Sequence, residues 1–190
     1  YRNIPDFEPP AISERVTHGP IKIVYAGLLG VAQGLSEIFK HTNIPPHIEF
    51  HIYGDGPDLA QLETPKNLQL IFHGTVTREL LHKELVHFDI AFIPLANRIY
   101  GSVPSKIFEY ARLGLPLLYM AGGEGGDLVR THNLGWVLPV GDNATFEAFL
   151  NQLQWDGLQK FPKKTVQLNA KKAFDFEKQF ETLLVALTKI

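Results

Sequence analysis

Six short runs of apolar, β-branched and aromatic residues recur along this chain: 21–26 (IKIVYA), 48–54 (IEFHIYG), 68–74 (LQLIFHG), 88–94 (FDIAFIP), 115–120 (LPLLYM) and 135–140 (GWVLPV). Their starts lie roughly 20 to 27 residues apart, the length of a strand plus a crossover helix. Segments with helical spacing fill the intervals, at about 31–42, 57–63, 77–87, 104–114, 124–133 and 143–154. Near-continuous hydrophobicity, as in FDIAFIP, suits strands covered on both faces. This alternation predicts an α/β fold: a Rossmann-like, doubly wound parallel sheet of about six strands, with right-handed crossovers and helices on both faces.

The 190 residues fit one domain, placed at 21–190, because a division would leave two marginal cores. Residues 1–20, rich in proline and polar side chains, read as a linker. The chain begins with Tyr1 rather than Met, so it is expected to be cut from something longer. A net charge of −2, with no basic stripe, argues against a nucleic-acid partner. With no cysteine there is no disulfide, thiolate metal site or cysteine nucleophile. No apolar run reaches the length of a membrane span. A tail at about 163–189 reads as one or two helices. Its stripe of Phe176, Phe180, Leu183, Leu184 and Leu187 is expected to pack on the domain's own sheet, ahead of docking elsewhere or on a membrane surface.

In an open doubly wound sheet, ligands sit outside the carboxyl ends of the strands, where the strand order reverses. With the order 3-2-1-4-5-6, that crevice lies between the first and fourth strands, so loops 27–34 and 94–105 converge on it. The first carries Gly27 and Gly30 at a strand-to-helix turn, where amides and a helix dipole can receive a phosphate. It is not G-x-G-x-x-G, and glycine at such a turn is common in any α/β protein. The second runs into SVPSKIFEYARLG, where Pro104 suits a first helical turn. Helical spacing places Ser102, Ser105, Lys106 and Glu109 on one face, and Ile107, Phe108 and Ala111 on the opposite side toward the sheet. Such a face offers a cation and amides to phosphate and a carboxylate to two ribose hydroxyls. It equally describes a solvated helix face on which Lys106 and Glu109 form an i,i+3 pair. The turns at 53–57 and 74–76 lie on the same edge; each alone reads as an ordinary strand-to-helix turn.

Taken in order, YAGLLGVAQGL, FHIYGDGP, LIFHGTV, DIAFIPL and VPSKIFEYARLGLPLL resemble the C-terminal, nucleotide-sugar-binding domain of the retaining GT-B glycosyltransferases of family 4. The likeness spans about residues 21–140 and is most specific in the P-S-K-x-x-E-Y variant of the family's motif. The resemblance implies that Glu109, second glutamate of the E-x7-E motif, holds the donor's ribose hydroxyls. It sets Val103, Pro104, Ser105 and Lys106 beside the diphosphate and Gly27 and Gly30 under the phosphates. It gives the backbone around Val76 the reading of the base, and Gly54 and Gly56 a turn lining the cleft. Two positions depart from the pattern: Gly101 stands where the first glutamate belongs, and Gln33 where many members carry a diphosphate-binding lysine.

By the same resemblance, the enzyme is a hexosyltransferase of polysaccharide biosynthesis. It uses a UDP- or GDP-linked sugar, needs no metal or other cofactor, and acts on a glycan or lipid-linked acceptor with retention. The acceptor site, and any membrane contact, belong to a missing N-terminal domain; the present chain is expected to bind donor without catalysing transfer. The expected location is the cytoplasm, at the membrane's inner face if the full-length enzyme reaches it. A GT-B sugar-nucleotide epimerase and a non-catalytic binding module are the alternatives, the latter favoured by Gly101 and Gln33.

Three other features invite sharper readings. His47, Glu49 and His51 alternate along the second strand and would share one face as a metal site; partly buried or rim residues are the preferred reading. The loop Gly122-Gly123-Glu124-Gly125-Gly126 could cover a sugar, but a flexible connection is preferred. No G-x-S-x-G follows a strand, so a serine hydrolase is unsupported.

Overall fold

The computed structural model describes residues 7–9, 11–12, 19–63, 68–97, 103–174, 180–181, 184–185 and 187–188. The strands are β1 (Ile21–Ala26), β2 (Ile48–Tyr53), β3 (Leu70–Gly74), β4 (Ile90–Pro94), β5 (Leu117–Met120) and β6 (Gly135–Leu138). They form one sheet in the order β3-β2-β1-β4-β5-β6, and every neighbouring pair is parallel. This is the architecture that the strand–helix rhythm predicts. β5 and β6 are shorter than their apolar runs. Pro116 and Pro139, which lack an N–H for the ladder, fall just outside them.

The helices are α1 (Leu35–Lys40), α2 (Leu59–Leu62), α3 (Arg78–Leu85), α4 (Lys106–Arg112), α5 (Glu124–Thr131), α6 (Asn143–Gln152), α7 (Trp155–Leu158) and α8 (Lys163–Ala173). α1 starts later than its spacing predicts, because Gly34 takes a left-handed conformation and residues 31–34 form a turn. α3 begins where the Thr77 hydroxyl accepts the Leu80 N–H at 3.3 Å.

Alternation along each strand fills two cores, one per sheet face. Ile21, Ile23 and Tyr25 of β1 join Phe39, Phe50, Phe92 and Phe146 under α1 and α6. The Phe50 and Phe92 rings meet edge to face at 5.8 Å, and Phe92 stacks on Phe146 at 5.2 Å. On the other face, Val24 and Ala26 lie with Ile107, Phe108, Ala111, Val166 and Phe174 beneath α4 and α8. α8 thus occupies the place that was expected for the tail stripe. Of that stripe, Phe180, Leu184 and Leu187 are exposed rather than packed on the sheet, and Phe176 and Leu183 lie outside the described residues. Residues 1–20 are described only in part; Phe7 packs against the α4 core.

One expectation for a loop changes here. Glu124, Gly125 and Gly126 form the first turn of α5 rather than a lid or connection, and both glycines are buried. A Cβ at Gly125 would overlap the Tyr119 hydroxyl, so glycine serves close helix–strand packing. His47 and Glu49 are partly buried and His51 is buried, in line with the preferred reading of these residues, but the three do not share one face. His47 precedes β2, and its Nε2 lies 3.0 Å from the Leu153 carbonyl oxygen. His51 sits instead with Nδ1 2.9 Å from His73 Nε2 and Nε2 3.3 Å from Glu49 Oε2.

The loops that close the sheet's carboxyl edge depend on glycine. At Gly54, with φ 136°, an added Cβ would overlap the Gly27 carbonyl oxygen. Gly54→Ala should therefore destabilise the domain by about 2–3 kcal/mol, combining backbone strain and overpacking, as read by denaturant unfolding. The histidine pair makes a second prediction. Burial pushes both imidazoles below the ordinary value; at His51 the Glu49 hydrogen bond opposes this, and the nearby His73 and Lys22 charges add to it. The unfolded chain then takes up protons more readily than the folded one. Stability is complete above about pH 6.5 and is lost as pH falls toward the folded-state values. The melting temperature should drop between pH 7.5 and 5.5, and less steeply in His51→Gln.

Candidate functional site

β1 stays paired with β2 as far as Ala26↔Tyr53, but its ladder with β4 comprises only Ile23↔Ile90 and Val24↔Ala91. Beyond Val24 the two strands part, opening the expected crevice. Backbone bonds carry the sheet's order into the loops around it. Gly27 N–H donates to Tyr53 O at 2.9 Å, Leu29 N–H to Asp55 O at 2.9 Å, and Gly54 N–H to Gly74 O at 2.8 Å. From the other side, Ala96 N–H donates to Ala32 O at 3.0 Å. A Cβ at Gly56 would overlap Leu29 O, so Gly54 and Gly56 line this edge by letting the loop after β1 lie directly on them.

That loop holds spare donors. Its Gln33 and Gly34 amides turn back to Gly30 O at 3.1 and 3.3 Å. The Gly30, Val31 and Ala32 amides have no backbone acceptor among the described residues. Gln33 supplies no cation, and its buried Oε1 has no hydrogen-bond partner among the described residues. Leu28 and Val31 are exposed on the loop's outer surface.

α4 brings the charged groups. Pro104 and Ser105 form its first turn, with Pro104 O accepting from Ile107 N–H at 3.1 Å and Ser105 O from Phe108 N–H at 3.1 Å. Ile107, Phe108 and Ala111 are buried against the sheet, as their spacing predicts. The side chains of Lys106 and Glu109 diverge rather than pair. The Lys106 ammonium runs beneath Gly27, donates to the Ala26 carbonyl oxygen, and lies 5.0 Å from the centre of the Tyr25 ring. Burial pushes its pKa down to about 8, with Glu109 acting in the opposite direction. The Tyr110 hydroxyl donates to the same Ala26 oxygen at 3.1 Å, and the Tyr25 hydroxyl donates to Leu28 O at 2.6 Å.

Glu109 faces α3, where its Oε1 lies 2.7 Å from His82 Nε2 and 3.7 Å from Arg78 Nε. Val76, in the turn before α3, and Val103, before α4, are both partly buried against the core beneath α4. Of the residues singled out from the sequence, Gly27 and Lys106 therefore meet directly. Gly30 and Gln33 lie in the same loop, Gly54 and Gly56 support it, and Glu109 looks toward the turn that carries Val76. Gly101 and Ser102 lie outside the described residues. Sequence reasoning missed Tyr25, Arg78, His82 and Tyr110, whose roles arise from contacts between distant elements. The available signals were Arg78 and His82 sharing a face at i,i+4, and Tyr110 standing as the tyrosine of P-S-K-x-x-E-Y.

Comparison with known proteins matches this arrangement to a family. The model of the glycosyl transferases group 1 family matches residues 19–156. A sequence search of curated proteins finds no match. Anabaena Alr3699/HepE, solved in complex with UDP, superposes with a TM-score of 0.72 at 16% identity, over 90% of this chain and 50% of that one. The catalytic domain of the cholesterol-α-glucosyltransferase from Helicobacter pylori gives 0.59 at 16% identity, covering 83% of this chain and 99% of that chain. WaaG, a glycosyltransferase involved in lipopolysaccharide biosynthesis, gives 0.60 at 15% identity, covering 82% and 44%. This chain thus spans half the length of HepE, and at such identities the likeness is one of fold. With a family model matching most of its length, the chain belongs to the glycosyl transferases group 1 family.

Proposed function

We propose that this chain is the nucleotide-sugar donor-binding domain of a retaining hexosyltransferase of the family 4, P-S-K-x-x-E-Y type. The donor is a nucleoside-diphosphate sugar, UDP- or GDP-linked, and the acceptor a glycan or lipid-linked glycan in polysaccharide biosynthesis. The acceptor site and the remaining reacting groups lie in an N-terminal domain of a longer enzyme, which works in the cytoplasm and makes any membrane contact. Complexes of HepE with UDP and with UDP-glucose favour a uridine donor.

The observation that carries this reading is the divergence of Lys106 and Glu109 at the crevice. Three residues of helix, about 4.5 Å of rise, separate an ammonium under the glycine loop from a carboxylate facing α3. The spacing suits a nucleotide lying across the α4 amino end. Its diphosphate meets Lys106, the Ser105 segment and the Gly30–Ala32 amides; its ribose meets Glu109; its base meets the backbone at Val76. As the sugar departs, negative charge grows on the diphosphate, and the same amides and ammonium stabilise it. That fixed positive potential supports transfer without a metal ion. Gln33, in place of a lysine, leaves Lys106 as the principal cation.

Glu109→Ala should weaken binding of the cognate nucleoside diphosphate by about 1.5–3 kcal/mol, roughly tenfold or more, by calorimetry across UDP, GDP and ADP. If none of the three binds the native chain at millimolar concentration, or if binding ignores the substitution, the donor-site reading fails. Lys106 adds a pH signature, because bound diphosphate stabilises the ammonium that burial disfavours. Affinity should be level below pH 8 and decline as pH rises above it, where the free lysine, with its pKa of about 8, has lost its proton. Lys106→Met should bind more weakly and show no such decline between pH 7 and 9.5.

A further inference from the structure

Glu109 is the one carboxylate of the proposed donor site, and a glutamate has three side-chain torsions to fix before it can hold a sugar diol. His82 fixes them from the neighbouring helix. Its Nε2 lies 2.7 Å from Glu109 Oε1, within the range of a charge-assisted hydrogen bond. A carboxylate only accepts, so Nε2 carries the proton. Arg78 approaches the same oxygen at 3.7 Å, but its side chain is 63% exposed, against 15% for His82 and 20% for Glu109. Solvent therefore screens the arginine while the histidine contact stays sheltered. No described residue donates to Oε2.

The imidazole is itself held. Phe7 packs on its ring at 4.4 Å between centroids, and the Arg112 guanidinium covers Phe7 at 5.3 Å. The ring cannot turn away from Glu109 without disturbing this tilted contact. His82 thus takes one of the carboxylate's acceptor positions and leaves Oε2, with the second lone pair of Oε1, for two neighbouring hydroxyls.

We infer that His82 is a positioning residue of the ribose subsite: by fixing Glu109 it makes the site select a ribonucleoside diphosphate over its deoxy counterpart. The inference rests on the donor-site reading above. The ordering cost of the carboxylate is met in the free protein, so the ligand's diol gains the full benefit of two hydrogen bonds. A ligand lacking the diol gains nothing from His82.

The test uses the 190-residue chain, titrated calorimetrically with UDP and GDP, each beside its 2′,3′-dideoxy analogue. His82→Phe removes the donor and keeps a ring for Phe7. It should weaken the cognate ribonucleotide about five- to tenfold, the cost of ordering one rotamer-rich side chain on binding, and leave the dideoxy analogue within about twofold. His82→Gln, whose amide nitrogen reaches the same place, should return affinity to within about threefold of native. Equal weakening of both ligands, no weakening of either, or no rescue by glutamine would overturn the inference. Those results remain distinct from failure of the donor site, which shows as no nucleotide binding by the native chain or as indifference to Glu109→Ala. Far-ultraviolet melting of both variants identifies any loss that follows unfolding rather than misdirection of Glu109.

Discussion

The carbonyl oxygen of Ala26 holds the functional edge of this fold together. It belongs to the last residue of β1, on the side where β1 has already parted from β4, so no strand is there to donate to it. A buried carbonyl left unpaired costs on the order of 1–3 kcal/mol. Here the Tyr110 hydroxyl and the Lys106 ammonium, both from α4, donate instead. One acceptor thereby ties the helix that carries the charged groups to the strand that carries the glycine loop. The position of Lys106 beneath Gly27 follows from the topology: where strand order reverses, the helix end must supply the bonds that a strand would have supplied.

The same junction explains why glycine recurs at this edge. The loops after β1 and β2 touch backbone to backbone, and Gly54 and Gly56 are the points of contact. At Gly27 the neighbour is a side chain, the Lys106 ammonium itself. Two different demands therefore produce one sequence signature. Glycine at 54 and 56 preserves the loop's position, while glycine at 27 preserves access from the lysine to whatever occupies the loop.

The fold was legible because its signals are local. A continuous apolar run specifies a doubly covered strand, and a repeat of about 20–27 residues leaves room for little besides a parallel crossover. Within the candidate site, the side of α4 that faces the crevice was also legible, since helical spacing alone separates Lys106 and Glu109 from Ile107 and Phe108. The partners were not legible. His82 lies 27 residues from Glu109, and Ala26 lies 80 from Lys106. The His47–Glu49–His51 alternation shows a related limit: strand periodicity applies only inside the strand, and His47 precedes it. The tail stripe misled because periodicity marks an apolar face without saying whether the sheet still has room for it. Val166, Ala170 and Phe174 had already taken the place.

Lys106 and Glu109 differ in what the surrounding protein groups do to them. The lysine is held against one carbonyl oxygen and one aromatic face, neither of which carries a full negative charge, and its burial lowers its proton affinity. The glutamate already has a donor at hydrogen-bond distance and a guanidinium nearby. In the proposed donor site the diphosphate end is therefore electrostatically incomplete until an anion arrives, whereas the ribose end is settled beforehand. Anion binding relieves a cost already present in the folded protein, so it supplies the drive for binding. Pre-ordering of the carboxylate adds attraction only for a ligand that brings the diol, so at this end the gain in affinity is itself the discrimination. A drive common to all such diphosphates and a gain reserved for ligands with a diol are thus assigned to different positions of one short helix. The helix can serve both because α4 is bonded to the sheet through Ala26 and buried along its whole inner face.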